Sequence, residues 1–290
     1  MFGKVLFCDD FSEYSQVSLE SFRNVPGIKE LSVIHIIDAE EETPKKNGTD
    51  NSIVAVLKER AKIIEEKGIK VTTLVDYGPA SEKILAAAEQ QGVSLIAVGA
   101  RGKSLIRDIV LGSVSSNIIR YGKRSALVVR LKNVEAGNVL SYEPLKENIF
   151  RKIIFATDFS RYASKAFDCL LGNIKGMGTE EVILTHILNK GESAPRVGLA
   201  HIESENILKG KAMRVKELGV KSKVAVRSGA PVAEINKLAG EEQATCIVVG
   251  ARGKGYLQEV LLGSVAEDLV RNSNLSVMVI KVDCGQSKKG

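Results

Sequence analysis

Hydrophobic residues in this chain fall in short, nearly unbroken runs, separated by longer stretches in which apolar positions recur every three or four residues. In the first half the runs cover 4–8, 31–37, 70–75, 94–98 and 126–130. They are rich in Val, Ile and Leu and mostly continuous, as strands covered on both faces of a parallel sheet are. Between them, Ile53, Val56, Leu57, Ile63 and Ile64 sit at helical spacing over 53–67, with Gly68 as a stop. A second helix is expected over 81–91, after Gly78-Pro79 and before Gly92. A third is expected over 114–121, with Ser113 as its N-cap and Gly122 as its end.

The plan then repeats. Gly99-Ala100-Arg101-Gly102-Lys103 returns unchanged as Gly250-Ala251-Arg252-Gly253-Lys254, 151 positions later, and Leu111-Gly112-Ser113-Val114 returns as Leu262-Gly263-Ser264-Val265 at the same shift. His35 and His186 keep it too, whereas Asp10-Phe11-Ser12 and Asp158-Phe159-Ser160 are related by 148. Three residues were therefore gained near Gly176-Met177-Gly178, where a loop tolerates them. Strands of the second copy are expected at 152–156, 182–187, 223–226, 245–249 and 276–280. The expectation is two tandem α/β domains, each an open, doubly wound, five-stranded sheet. Domain one covers 1–131, a polar linker with Gly137 and Pro144 covers 132–148, domain two covers 149–284, and a tail covers 285–290.

Composition narrows the function class. The chain of 290 residues is 44% hydrophobic and 26% charged, an ordinary globular balance. No run approaches the roughly 18 apolar residues of a membrane span, and Asp9-Asp10 end the first apolar run too early for a signal peptide, so a cytoplasmic protein is expected. Net charge is +6, but basic residues alternate with acidic ones, as in Lys58-Glu59-Arg60, and there is no Trp. That is a solvated face and not a nucleic-acid platform, so no nucleic-acid partner is expected. The four cysteines are far apart, which argues against a disulfide framework or a zinc site.

The chemistry concentrates at the glycines. Each copy has Gly-x-x-Gly, nine residues, then Gly-Ser, and the first glycine directly follows a buried run. It therefore lies at a strand's carboxyl end, where open α/β sheets bind ligands. Glycine there is expected to allow positive φ and close approach of a phosphate to main-chain N–H groups. Gly112-Ser113 and Gly263-Ser264 then open helices whose N-termini attract anions, with Lys103, Lys254, Arg101 and Arg252 adding charge. A turn and a helix cap binding nothing would use the same residues, but identical spacing in both copies favours phosphate. A Walker A loop is excluded because Ala97 stands where its first glycine belongs, and no Gly-x-Gly-x-x-Gly follows either first strand.

This pattern, with an Asp after the first strand and a closing Val-rich strand, resembles the universal stress protein family, here as a tandem pair. The resemblance implies an adenine nucleotide alpha hydrolase-like fold with strand order 3-2-1-4-5 and binding of ATP or AMP, with Mg²⁺ as a candidate companion. It implies that Asp10 and Asp158 recognise the adenine or ribose end and that Ile36 and Ile187 touch the base. Gly99, Gly102, Gly112, Ser113 and Val114, with Gly250, Gly253, Gly263, Ser264 and Val265, would hold ribose and phosphates. His35 and His186 are read as structural, and Asp9 is given no ligand role because it lacks a repeat partner. The expected function is a stress or regulatory nucleotide binder with one site per domain. A slow ATPase or a related adenylating enzyme is the alternative, although neither first loop has the glycine pair that grips pyrophosphate and no general base recurs. In the implied strand order, 126–130 and 276–280 are apolar edges, so the two copies are expected to meet through them as an intramolecular pseudo-dimer, leaving a homodimer of chains open.

Overall fold

The structure, a computed structural model, describes residues 2–37, 49–101, 111–136, 139–188, 194–253 and 262–282. The first half contains strands β1 (Lys4–Cys8), β2 (Glu30–Ile37), β3 (Lys70–Tyr77), β4 (Leu95–Gly99) and β5 (Ser125–Val129), with helices α1 (Glu13–Glu20), α2 (Thr49–Glu65), α3 (Ala80–Gln90) and α4 (Ser113–Tyr121). The 132–148 segment is more than a featureless connection. It forms an antiparallel hairpin of β6 (Lys132–Ala136) and β7 (Val139–Glu143), anchored where Tyr142 meets Tyr14 of α1 edge-on at 4.8 Å. The second half has β8 (Lys152–Ala156), β9 (Glu181–Leu188), β10 (Lys221–Ser228), β11 (Cys246–Gly250) and β12 (Ser276–Ile280), with α5 (Arg161–Leu171), α6 (Ala194–Glu217), α7 (Pro231–Glu241) and α8 (Ser264–Asn272).

In each half all strand pairs are parallel, in the order 3-2-1-4-5. Strands β1 and β4 are buried through Val5, Leu6, Phe7, Leu95, Ile96 and Ala97, which explains why their sequences do not alternate. The outer strands β3 and β10 have no buried residue and begin with Lys70 and Lys221, a protected edge. The inner edges have no such protection. Every residue of β5 and β12 is buried, because the two strands pair antiparallel with Val277 opposite Val128, Met278 opposite Leu127 and Val279 opposite Ala126. The result is one ten-stranded sheet.

Polar contacts repeat across this seam with twofold logic. Arg130, just past β5, donates its backbone N–H to Ser276 Oγ at 3.0 Å, and its guanidinium reaches the carbonyls of Val270 and Arg271 at 2.6 and 2.9 Å. Lys281, the equivalent residue past β12, donates its N–H to Ser125 Oγ at 3.2 Å and its ammonium to the Gly122 carbonyl. Each half thus sends a cation to the C-terminal end of the other half's last helix, where unpaired carbonyls and the negative dipole end favour it. Burial pulls Lys281 down from 10.5 to about 8, with a further push from the charge of Arg252. A second junction lies at 173–178, the region of the gained residues. Asn173 Oδ1 accepts from the Phe2 N–H at 2.6 Å, and Gly27 approaches so closely that a Cβ there would stand 2.0 Å from the Gly176 carbonyl oxygen.

Two measurements test the seam. Val128→Asp or Met278→Asp would bury an unpaired carboxylate and should cost about 3 kcal/mol or more in denaturant unfolding; an unchanged midpoint would show that these strands do not meet. For Lys281, the unfolded chain holds the proton up to 10.5 while the folded chain loses it near 8. Between those values the unfolded state binds more protons, so stability rises with pH. The thermal stability of the native chain relative to Lys281→Met should climb across that window and stay flat at neutral pH and below.

Candidate functional site

In each half the chain winds outward from β1 in one direction and from β4 in the other, so the carboxyl ends of β1 and β4, or β8 and β11, open a crevice between them. The loop after the first strand, the end of the fourth strand and the head of the last helix converge there. In the second half the convergence is tight: a Cβ on Gly253 would stand 2.4 Å from Asp158 Oδ2, and one on Gly263 would lie 3.8 Å from the Gly253 nitrogen. In the first half a Cβ on Gly99 would meet the Arg101 carbonyl at 2.9 Å and the Tyr14 ring at 3.1 Å. The Gly112 and Gly263 N–H groups bond the carbonyls of Ala100 and Ala251 at 3.3 and 2.8 Å, tying helix head to strand end identically in both copies.

Two expectations about these glycines need correction. None of Gly99, Gly112, Gly250, Gly253 or Gly263 has positive φ. Ser113 and Ser264 are not N-caps but the first helical residues; the caps are Gly112 (φ −65°, ψ 152°) and Gly263 (φ −70°, ψ 148°), with no side-chain cap bond. The helix starts one residue earlier because the glycine already has cap geometry. The same chain caps α1 and α5 conventionally: Ser12 (φ −68°, ψ 158°) accepts from the Ser15 N–H and Ser160 (φ −63°, ψ 162°) from the Ala163 N–H. Gly112 and Gly263 have nearly that conformation, and among the described residues a Cβ on them would meet nothing closer than 4.0 and 3.5 Å. Neither backbone strain nor packing against the described residues demands glycine there. What glycine leaves is bare helix N-termini facing the crevice.

The other expected residues surround this point. Ile36 and Ile187 lie half-buried one residue before the ends of β2 and β9, Val114 is half-buried, and Ser113, Ser264 and Val265 are exposed on the first turns. Arg101 and Arg252 are half-buried, the latter with its guanidinium 5.8 Å from the Tyr162 ring centre. Gly102, Lys103 and Lys254 lie outside the described residues, as do Ser104 and Gly255. Among the described residues, no group of three or more His, Cys, Asp or Glu side chains is placed to hold a metal ion. Nor is any helix among them long and apolar enough to cross a membrane.

The loop after the first strand holds what the sequence reading missed. Phe11 and Phe159 have φ of 63° and 61°, a left-handed conformation costing a bulky residue about 1–3 kcal/mol. Each loop over-determines it. Asp10 Oδ1 accepts from the Ser12 N–H at 3.0 Å and Asp158 Oδ1 from the Ser160 N–H at 2.9 Å. The Phe11 ring stacks on His35 at 3.9 Å and Phe159 lies 4.3 Å from His186. Both histidines donate from Nδ1 to a backbone carbonyl at 2.7 Å, that of Asp9 or Thr157. Each histidine thereby ties the second strand to the loop that carries the left-handed Phe. In the first half Asp9 is also buried against Arg60 at 2.8 Å. Its sequence signal was present: Asp9 has no counterpart, since Thr157 takes its place.

Comparison with known proteins bears on the same two segments. The model of the Universal stress protein family matches residues 1–130 and 149–281. Universal stress protein MJ0577 of Methanocaldococcus jannaschii is 33% identical over 156 residues, covering 46% of this chain and 96% of that protein. Universal stress protein YxiE of Bacillus subtilis is 32% identical over 148 residues, covering 45% and 100%. A crystal structure of a universal stress protein from Archaeoglobus fulgidus DSM 4304 superposes with a TM-score of 0.68 at 26% identity over 96% of both chains.

The glycine caps can be tested through stability. If the fold alone chose these positions, serine would serve better, so Gly112→Ser and Gly263→Ser should leave the protein equally stable or more stable by a few tenths of a kcal/mol, roughly the serine advantage at an N-cap. Destabilisation of the ligand-free protein by more than about 1 kcal/mol, well above that advantage, would mean the fold itself requires glycine there.

Proposed function

The chain belongs to the universal stress protein family, and from that premise we propose that it is a cytoplasmic regulatory protein that binds one adenine nucleotide, ATP or AMP, in each half. The observation that carries this reading is the pair of helices begun by glycine where the fold has room and geometry for serine. Bare N–H groups and a positive dipole end at a strand-end crevice suit a phosphate chain. Gly99, Gly112, Ser113 and Val114, with Gly250, Gly253, Gly263, Ser264 and Val265, would cradle ribose and phosphates. Arg101 and Arg252, with Gly102, Lys103 and Lys254 from the loops that follow, would complete the cradles and Mg²⁺ would accompany ATP. Asp10 and Asp158, beside the strained Phe11 and Phe159, would receive the ribose or adenine end, and Ile36 and Ile187 would line the base.

A binding role fits better than an enzyme. Hydrolysis or adenylation needs a base or a positioned nucleophile beside the phosphates, and among the described residues the carboxylates that both crevices share are the two loop aspartates, which accept from the Ser12 and Ser160 N–H groups. The bound nucleotide would therefore act by favouring one conformation of the chain. Since the inner edges are spent on each other, the chain does not need a second copy to cover them.

Calorimetric titration of the purified protein with ATP and Mg²⁺ should approach two nucleotides per chain. Gly253→Val should remove only the second-half site, because a side chain there displaces Asp158 and fills phosphate space. Turnover at saturating ATP should stay far below the roughly 10 s⁻¹ of a typical enzyme. Absence of binding by any adenine nucleotide would end this proposal, and rapid multiple turnover would replace the regulator with an enzyme.

A further inference from the structure

The two halves support their nucleotide-side loops differently, and the difference involves three residues that change together. In the first half Arg60 of α2 grips the loop. Its Nη1 donates to Asp9 Oδ1 at 2.8 Å and to the Ser12 carbonyl and Ser15 Oγ at 3.3 Å each, and its Nη2 donates to the Phe11 carbonyl at 2.9 Å. Asp9 Oδ1 also accepts from the Phe11 N–H at 2.8 Å and from Ser15 Oγ at 2.6 Å. The corresponding residues of the second half are Thr157, Ala163 and Lys211. There, among the described residues, the Phe159 N–H is held by Thr157 Oγ1 at 3.1 Å, while Lys211 lies over the Phe167 ring at 4.6 Å. Removing Arg60 alone would leave the buried Asp9 carboxylate without its cation, so those two positions are coupled.

The grip has a cost. Asp9 is 3% exposed, and its Oδ2 has no hydrogen-bond partner among the described residues. Such a pair adds little stability over an uncharged set, but it fixes one arrangement of the groups it joins. What it fixes here is the left-handed Phe11, the same conformation that the second half adopts at Phe159 with Thr157 in place of the Asp9–Arg60 pair.

We propose that Asp9, Ser15 and Arg60 are positioning residues that lock the first-half loop in its nucleotide-receiving form before any nucleotide arrives, so that the first half fills ahead of the second. The inference rests on the nucleotide reading above. A loop that spends part of its time open binds more weakly in proportion to the fraction that is competent. The first half has that fraction near unity, and the second orders its loop on binding.

Hydrogen exchange in the nucleotide-free protein reads the lock directly, and Asp-Phe-Ser is identical in both loops, so local sequence cancels. The amides of Phe11 and Ser12 should exchange about tenfold more slowly than those of Phe159 and Ser160, the scale of one well-made charged bond. Asp9→Thr with Ser15→Ala and Arg60→Lys should erase the difference. Thr157→Asp with Ala163→Ser and Lys211→Arg should slow the second loop, which covers the case in which the first set fails to fold. ATP titration, with Gly112→Asp or Gly263→Asp silencing one half at a time, should give about tenfold tighter binding in the first half, lost with the first set. Equal exchange of the two loops, equal affinities, or earlier filling of the second half would each overturn the inference. No binding at either site would refute the nucleotide reading instead and leave the exchange comparison standing.

Discussion

Two uncharged strands that are apolar from their second residue on cannot end a sheet in water, and the architecture follows from how β5 and β12 avoid doing so. Each would be the edge of its own five-stranded sheet, with its row of backbone groups unpaired. Pairing them with each other removes both edges at once and makes the tandem chain a single sheet. The pairing also sets what lies next to it. The residue that leaves each strand is a cation, and the antiparallel register carries Arg130 to the end of α8 and Lys281 to the end of α4. Those helices begin at the two glycine caps. Each last helix is therefore bounded by its own half's crevice at the positive end and by the other half's cation at the negative end. A phosphate and that cation would both favour the same helix dipole.

At the crevices, on the nucleotide reading, the demands of folding and of binding would part. At Ser12 and Ser160 a helix start is closed with a hydroxyl, the arrangement that folding prefers. At Gly112 and Gly263, with almost the same dihedral angles, the hydroxyl is missing in both copies. A side chain there would have used the N–H groups that the crevice presents. The glycines thus gain their meaning from the contrast with the two serines, which no single cap would supply.

Much of the fold was legible because its strands are buried on both faces, so their runs stand out without any periodicity to decode, and because the duplication tests each assignment twice. Strand order could not be read from composition; it and the meeting of β5 with β12 came through the family resemblance, the apolar edges of that order being the physical reason they need cover. The hairpin in 132–143 escaped notice because it folds against α1 through Tyr142 and not through a hydrophobic pattern of its own. At the site, glycine identity was visible but its reason was not. Positive φ and a serine cap are the commonest explanations for Gly-Ser at a helix start, and both fail here because the glycine itself occupies an ordinary cap conformation. The strain at Phe11 and Phe159 has no sequence signal at all, since nothing about phenylalanine announces a left-handed backbone.

A duplicated chain carries its own control experiment. What both halves keep is what the shared architecture and any shared ligand require: the glycine spacing, the loop Asp, the left-handed Phe and the histidine beneath it. What only one half keeps must be explained without appeal to the fold, because the other half folds without it. The Asp9, Ser15 and Arg60 set falls in that second class, as does the 173–178 junction that leans on Gly27. An ion pair with one carboxylate oxygen buried and, among the described residues, unbonded is a poor way to stabilise a sheet that its twin builds with Thr and Lys. Its retention in one copy makes sense as a difference in how ready each loop is. Such a difference lets a chain with two similar sites respond in two steps, where identical sites would respond in one.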